Sequence, residues 1–177
     1  MITRRKLIVS GAAGLLALTF PHRALPAPAA PDDPTGILTA IYTRVAKGKG
    51  DSGGTFVFEN KAAKAKYLSK SLIALWTKAD GRRRKGDGGP VDFDPITNSQ
   101  DPDVKSFKVV AEKQEADKAA IAVTIDSHQG PRSKPADQTI RYDFVRESDG
   151  WKIDEIKGAI DGEAWSLRAI ITDFLKY

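Results

Sequence analysis

The chain contains no cysteine, and that absence removes several chemistries together. Disulfides, thiolate nucleophiles, cysteine-ligated metals and a lipid anchor on an N-terminal cysteine are all excluded. Histidine is almost as scarce, with two in 177 residues, and His22 falls in a segment expected to be removed. His128 is then alone, in Asp126-Ser127-His128-Gln129-Gly130-Pro131. Those are turn-forming residues, and the stretch reads as a solvated loop rather than a setting for a catalytic base. A site built on several imidazoles is excluded. No internal repeat is visible. The apolar run from Leu7 to Phe20 is diluted by Ser10, Gly11, Gly14 and Thr19. It falls short of the roughly 20 residues that a membrane-spanning helix needs.

What is present begins with residues 1–29. Thr3-Arg4-Arg5-Lys6-Leu7 supplies a charged start, the apolar run follows, and Ala27-Pro28-Ala29 offers a small-x-small cleavage site before Ala30. This is the layout of a cleaved export signal, and it predicts a periplasmic protein with no stable membrane anchor after cleavage. The paired Arg4 and Arg5 point to the twin-arginine export machinery as a partner, although Ile8 and Val9 depart from that pattern. Removing Arg4, Arg5, Lys6 and Arg23 from the 28 basic residues leaves 24 against 23 acidic ones. The mature chain is therefore near neutral, which argues against nucleic-acid binding.

Residues 30–33 read as an unstructured leader, and 34–177 as one domain. Asp33 and Pro34 are cap and first turn of a helix over Pro34–Ala46, with Ile37, Leu38, Ile41, Tyr42 and Val45 at helical spacing. Lys47 to Gly54 reads as a flexible linker. Its Gly48, Gly50 and Gly53 match a dinucleotide fingerprint only in letters, because a helix precedes them where a strand is required. Glu59–Ala79 predicts one helix or two, with Ser69 capping the second. The basic Arg82-Arg83-Arg84-Lys85 reads as a solvated loop, the alternative being contact with an anionic lipid or polymer. Alternation then predicts strands over 105–113, 118–126, 138–147 and 151–157, with Asp149-Gly150 as a two-residue hairpin turn. A helix over 162–176 closes the chain. The fold class is α+β: N-terminal helices on an antiparallel sheet of about four strands, with a C-terminal helix.

Candidate site residues come from two places. The turn-rich, acidic segment Gly88–Asp103 carries Asp92, Asp94, Gln100 and Asp101, which would shape one rim of a binding site. Its spacing does not fit the twelve-residue calcium loop, and no metal or cofactor is assigned. A structured turn, with Asp and Asn side chains holding backbone N–H groups, is the plainer reading. With Asp149-Gly150 as the loop, Val145 faces Asp154 and Asp143 faces Ile156. Ile140, Tyr142, Phe144, Trp151 and Ile153 then form the core face. Arg141, Asp143 and Asp154 fall together on the other face, where Arg141 and Asp154 would give polar contacts, the plainer reading being a solvent-facing sheet with local ion pairs. Trp76 would supply apolar surface. An enzyme would use Asp154 or Asp143 as its base.

The combination of Asp92-Phe93-Asp94-Pro95, Gln100-Asp101 and Gly150-Trp151-Lys152-Ile153-Asp154-Glu155-Ile156 resembles the bacterial domain-of-unknown-function family numbered 3828. Its members are exported envelope proteins, some of them lipoproteins. The resemblance spans about residues 35–177, and the family's Asp-Asp after the tryptophan is here Asp154-Glu155. That family is similar to the nuclear-transport-factor-2-like superfamily, which implies a curved sheet wrapped around helices into a cone with a pocket. The resemblance implies no activity, because the superfamily hosts enzymes and non-enzymes alike. The expectation is an exported, non-catalytic domain that binds a small molecule or an envelope partner. The alternatives are a pocket-carboxylate isomerase or dehydratase, and a structural assembly protein.

Overall fold

A computed structural model describes residues 33–48, 53–83, 88–132 and 134–176. The predicted export signal, including Arg4 and Arg5, lies outside the described residues, as do leader residues 30–32 and Arg84 and Lys85.

Helix α1 (Pro34–Ala46) starts as the sequence predicts. Asp33 Oδ1 accepts from the Gly36 N–H at 2.6 Å and from the Thr35 hydroxyl at 2.8 Å, and Pro34 has no N–H to satisfy. Leu38, Ile41, Tyr42 and Val45 form its buried stripe. The second helical region divides into α2 (Phe56–Glu59), α3 (Lys61–Tyr67) and α4 (Lys70–Asp80). Ser69 caps α4 as expected, its Oγ accepting from the Leu72 N–H at 2.9 Å. The single turn α2 was not foreseen. Its Phe56, Val57 and Phe58 are consecutive and all buried, so they carry no helical period.

The sheet has five strands rather than about four, antiparallel throughout and in sequence order. These are β1 (Ser106–Gln114), β2 (Lys118–Asp126), β3 (Thr139–Glu147), β4 (Gly150–Ile160) and β5 (Glu163–Ser166). Helix α5 (Leu167–Phe174) follows. Strand β5 replaces the first turn of the expected final helix. Asp161 and Gly162 have φ of 51° and 82°, the signature of a type I′ turn, and Ile160 faces Glu163 across it. The Trp165 ring then lies over Gly158, where a Cβ would come within 2.7 Å of the indole. The helix waits for Ser166, whose Oγ accepts from the Ala169 N–H at 3.1 Å.

The β3–β4 register also differs from the expected one. Glu147 faces Gly150, so the loop is Ser148 and Asp149, and Val145 faces Lys152. Phe144 faces Ile153 while Asp143 faces Glu155, which makes Asp154 the extra residue of a bulge. The expected core face is buried in full, and the bulge turns Ile156 inward to join it. Lys152 is buried, and its ammonium pairs with Asp149 Oδ2 at 3.0 Å and caps the end of α3 at Lys66 O (2.9 Å) and Ala65 O (3.2 Å). Beside it Leu68 bridges Ile153, and the Ser69 N–H donates to Ile153 O at 2.9 Å. The edge of β4 is thus closed at one end by this segment and at the other by β5.

One hydrogen bond ties the helices to the site. Inside the core the Tyr42 hydroxyl donates to Ile96 O at 2.5 Å and lies 2.7 Å from the Tyr142 hydroxyl. Burial pushes both phenols far above their ordinary range, so they stay neutral donors. α1, β3 and the loop after residue 90 meet at this point.

Candidate functional site

The loop 92–103 is built on Asp94. Its backbone N–H donates to Ser99 O at 2.9 Å, closing a tight turn. Its carboxylate is buried and accepts from Gly54 N–H and Thr97 Oγ1, each at 2.7 Å, and from Ile96 N–H at 3.0 Å. Burial pushes the carboxyl up, and these donors pull it back down. Asp94 is therefore a structural anchor beneath the site, not part of a rim. The same contacts correct the reading of Gly53-Gly54 as flexible linker. Gly53 has φ of 60°, and a Cβ on Gly54 would sit 2.1 Å from that of Ile96. Only glycine lets the backbone approach this closely.

Asn98 carries the loop across to the sheet. It is 2% exposed with φ of 54°. Its Nδ2 donates to Ala159 O at 2.7 Å and to Asp137 O at 3.0 Å, and its Oδ1 accepts from Trp165 Nε1 at 2.8 Å. Phe93 meets the same indole edge-on at 5.0 Å. Arg132 holds the other side, donating to Thr97 O at 2.6 Å and to Asn98 O.

The result is a cleft of about 610 Å³ between this loop, Arg132 and the β4–β5 turn. Phe93 and Ile160 give it an apolar wall, Ile160 being 43% exposed. Asp92, Gln100, Asp101, Asp137 and Asp161 give it a polar one. Asp137 is committed, its Oδ1 accepting from the Gly162 N–H at 2.9 Å. Among the described residues the carboxylates of Asp92, Asp101 and Asp161 accept no hydrogen bond. A neighbouring cleft of about 340 Å³ shares Ser99, Asp101 and Arg132 and runs on to Asp103, Ser127 and Gln129.

His128 is not among the residues that line this second cleft; it is largely exposed, with Nδ1 2.6 Å from Asp103 Oδ1. Ser127 donates to Asp103 Oδ2 at 2.5 Å, and so not to His128. The contact a serine nucleophile needs with its base is thus absent. The donors around Asp103 hold its carboxyl at about 2, the Ser127 hydroxyl having the largest effect and His128 the next.

Three of the expected site residues, Asp92, Gln100 and Asp101, come together in the cleft. The others do not join them. Trp76 stacks on Phe58 at 4.7 Å and packs α4 against α2. The expected charged group on the open sheet face resolves into separate pairs: Arg141 with Glu112 at 3.0 Å, and Asp143 with Lys157 at 2.6 Å. Asp154 Oδ1 accepts from Arg168 Nη2 and Ser69 Oγ, each at 2.5 Å. Glu155 accepts from Ser166 Oγ at 2.6 Å and from the Arg168 N–H at 3.1 Å. The two bulge acids thus clasp the N-caps of α4 and α5. Arg132, Asp137, Ile160 and Asp161 were not singled out from sequence; Asn98 was read only as an oxygen donor of the loop, and Phe93 only as part of the motif that carries the resemblance. Asp161-Gly162 was the available signal for the β4–β5 turn, an Asp-Gly pair like Asp149-Gly150.

Among the described residues no group of three or more His, Asp or Glu gathers to hold a metal ion, and no helix is long and apolar enough to cross a membrane. Comparison with protein-family models, with curated proteins and with solved structures finds no match to this chain.

Proposed function

We propose that this chain is an exported, non-catalytic binding protein of the bacterial envelope, and that the 610 Å³ cleft holds a small molecule. The observation that carries the reading is the contrast among its carboxylates. Asp94, Asp103, Asp143 and Asp154 are occupied by protein donors, whereas Asp92 and Asp101 face the cleft with their lone pairs free among the described residues. Polar groups left free beside an apolar wall are what a ligand site presents. The chemistry suits a ligand with N–H or ammonium donors toward Asp92 and Asp101 and an apolar face toward Phe93 and Ile160.

The same reading takes the fold as a member of the nuclear-transport-factor-2-like superfamily. In its support, the helices contribute to one core with the inner face of an antiparallel meander. The export reading rests on residues 1–29 alone.

Native mass spectrometry of the exported protein, purified gently from its own host, tests the binding role. A co-purified small-molecule mass that disappears in Asp92→Ala/Asp101→Ala protein supports it. A ligand retained by that variant moves the site elsewhere. A bare mass with no hit in a subsequent thermal-shift screen refutes the reading. Export is tested separately: Arg4→Lys/Arg5→Lys should leave the protein in the cytoplasm.

A further inference from the structure

The near-neutral charge of the chain is the sum of two unlike parts. Residues 34–86 carry twelve basic side chains against three acidic ones, and residues 87–177 carry twelve against eighteen. The first part holds helices α1 to α4, and the second holds the sheet and the cleft. In α3 and α4, Lys61, Lys64, Lys66, Lys70 and Lys78 stand against Asp80 alone.

Helical spacing turns these lysines outward. The exposed arc of α3 runs through Lys61, Ala62, Ala65 and Lys66, and that of α4 through Lys70, Ala74 and Lys78. Neither arc carries a carboxylate, and the alanines between the lysines are too short to screen them. Leu68 and Ser69, between the two helices, hold both against β4 at Ile153. The Lys64 ammonium lies 5.8 Å from the centre of the Trp76 ring and so joins α3 to α4, while that of Lys66 lies 5.0 Å from the Tyr67 ring. Both rings are half-buried, an apolar body beneath a cationic rim.

Ion pairs leave this surface charged. Among the described residues Lys70 is the one lysine of the five that meets a carboxylate, Glu147 at 3.6 Å, and its side chain stays 76% exposed. In the second part, by contrast, Lys113, Arg141, Lys152, Lys157 and Arg168 each hold a carboxylate within 3.0 Å. The five lysines line neither cleft. Lysine meets phosphate as a hydrated point charge, without the paired geometry by which arginine reads one phosphate or a nucleic acid. Point charges spread over the outside of two helices suit a broad, mobile array of phosphate headgroups. Each lysine near such a surface contributes about fivefold in affinity.

We propose that the outer face of α3 and α4 is a docking surface for an anionic lipid bilayer, held by Lys61, Lys66, Lys70 and Lys78. The cleft lies at the other end of β4, so a molecule docked by this face keeps it open.

Vesicle co-sedimentation tests the proposal. The chain, as purified from its host, is spun down with vesicles of equal parts phosphatidylglycerol and phosphatidylcholine, and with vesicles of phosphatidylcholine alone. The readout is the ratio of the two affinities, from which apolar contacts cancel. Wild type should favour the anionic vesicles, and salt should erode the preference. Lys61→Gln/Lys66→Gln/Lys78→Gln should lower the ratio about a hundredfold. Lys105→Gln/Lys108→Gln/Lys118→Gln removes the same charge from exposed sites in the second part and should leave the ratio as it is. Circular dichroism and the urea midpoint establish that both variants fold. No preference for the anionic vesicles overturns the proposal. So does an equal loss in the two triple variants, which would make net charge and not this face the cause. Tighter binding to duplex DNA than to the anionic vesicles, at equal phosphate concentration, overturns the choice of a membrane.

Discussion

Asn98→Ala removes three hydrogen bonds and strands their partners. The carbonyls of Asp137 and Ala159 and the indole N–H of Trp165 are served by one amide, itself 2% exposed. A buried polar group left without a partner costs about 1–3 kcal/mol. Placing alanine at φ of 54° adds about 1 kcal/mol, because its Cβ crowds the carbonyl in the left-handed region. Some relaxation and entry of water will offset part of this, so the expected loss is about 3 kcal/mol, a large fraction of the roughly 5–15 kcal/mol that a domain has. The melting temperature should fall by roughly 10 °C. Urea unfolding followed by tryptophan fluorescence measures the loss. Asn98→Gly separates the backbone cost, since glycine accepts this φ while losing the same three bonds. Trp165→Phe in both backgrounds isolates the indole bond, with an expected coupling of about 1 kcal/mol. A loss below about 1 kcal/mol for Asn98→Ala would falsify the view that this amide ties the loop to the sheet.

Gly54→Ala should cost about 2–3 kcal/mol in the same unfolding assay, because its Cβ would sit 2.1 Å from that of Ile96; an unchanged midpoint would mean that the contact yields freely. Asp103 has its carboxyl depressed to about 2 in the folded chain against an ordinary 3.8. Its stabilisation is therefore present above 3.8 and lost as the pH falls from there toward about 2, and Asp103→Asn should flatten that limb of the stability–pH curve. Arg168→Ala should cost about 1–2 kcal/mol through loss of its bonds to Asp154, and amide exchange should rise in the first turn of α4, through the loosened Ser69 cap; no change in exchange there would remove the clasp argument.

How much of this was legible in the sequence varies with how local the cause is. The Asp33-Pro34 start of α1, the Ser69 cap of α4 and the alternation in β2 and β3 act within a few residues, and each element lies where those signals put it. The β3–β4 register was not legible. An Asp-Gly pair announces a turn, but whether the loop includes the glycine depends on the strands' twist. The bulge at Asp154 depends on acids gripping two helix caps distant in sequence. β5 was hidden because Trp165, Ile170, Ile171 and Phe174 suit a helical stripe equally well. Gly158 decided the matter by making room for the indole. At the site, Asp92, Gln100 and Asp101 stood out as polar residues in a turn. Asp94 looked the same to the eye and is an anchor, a difference made by Gly54, forty residues away. Arg132, Asp137 and Ile160 reach the cleft only through the meander, so nothing near them in sequence marks them.

The meander has a consequence for the order in which the molecule assembles. Every strand neighbours the next one in sequence, so the sheet can grow hairpin by hairpin, with short loops to close at every step but the β2–β3 connection over residues 127–138. α1 has no such local partner. The Tyr42 hydroxyl finds Ile96 fifty-four residues later and Tyr142 a hundred residues later. The first helix to be synthesised thus waits for partners fifty-four or more residues away before it can make these two contacts. Until β1 and β2 exist, the apolar stripe of Leu38, Ile41, Tyr42 and Val45 lacks the sheet face it packs on, where Phe107 of β1 lies 5.4 Å from the Tyr42 ring.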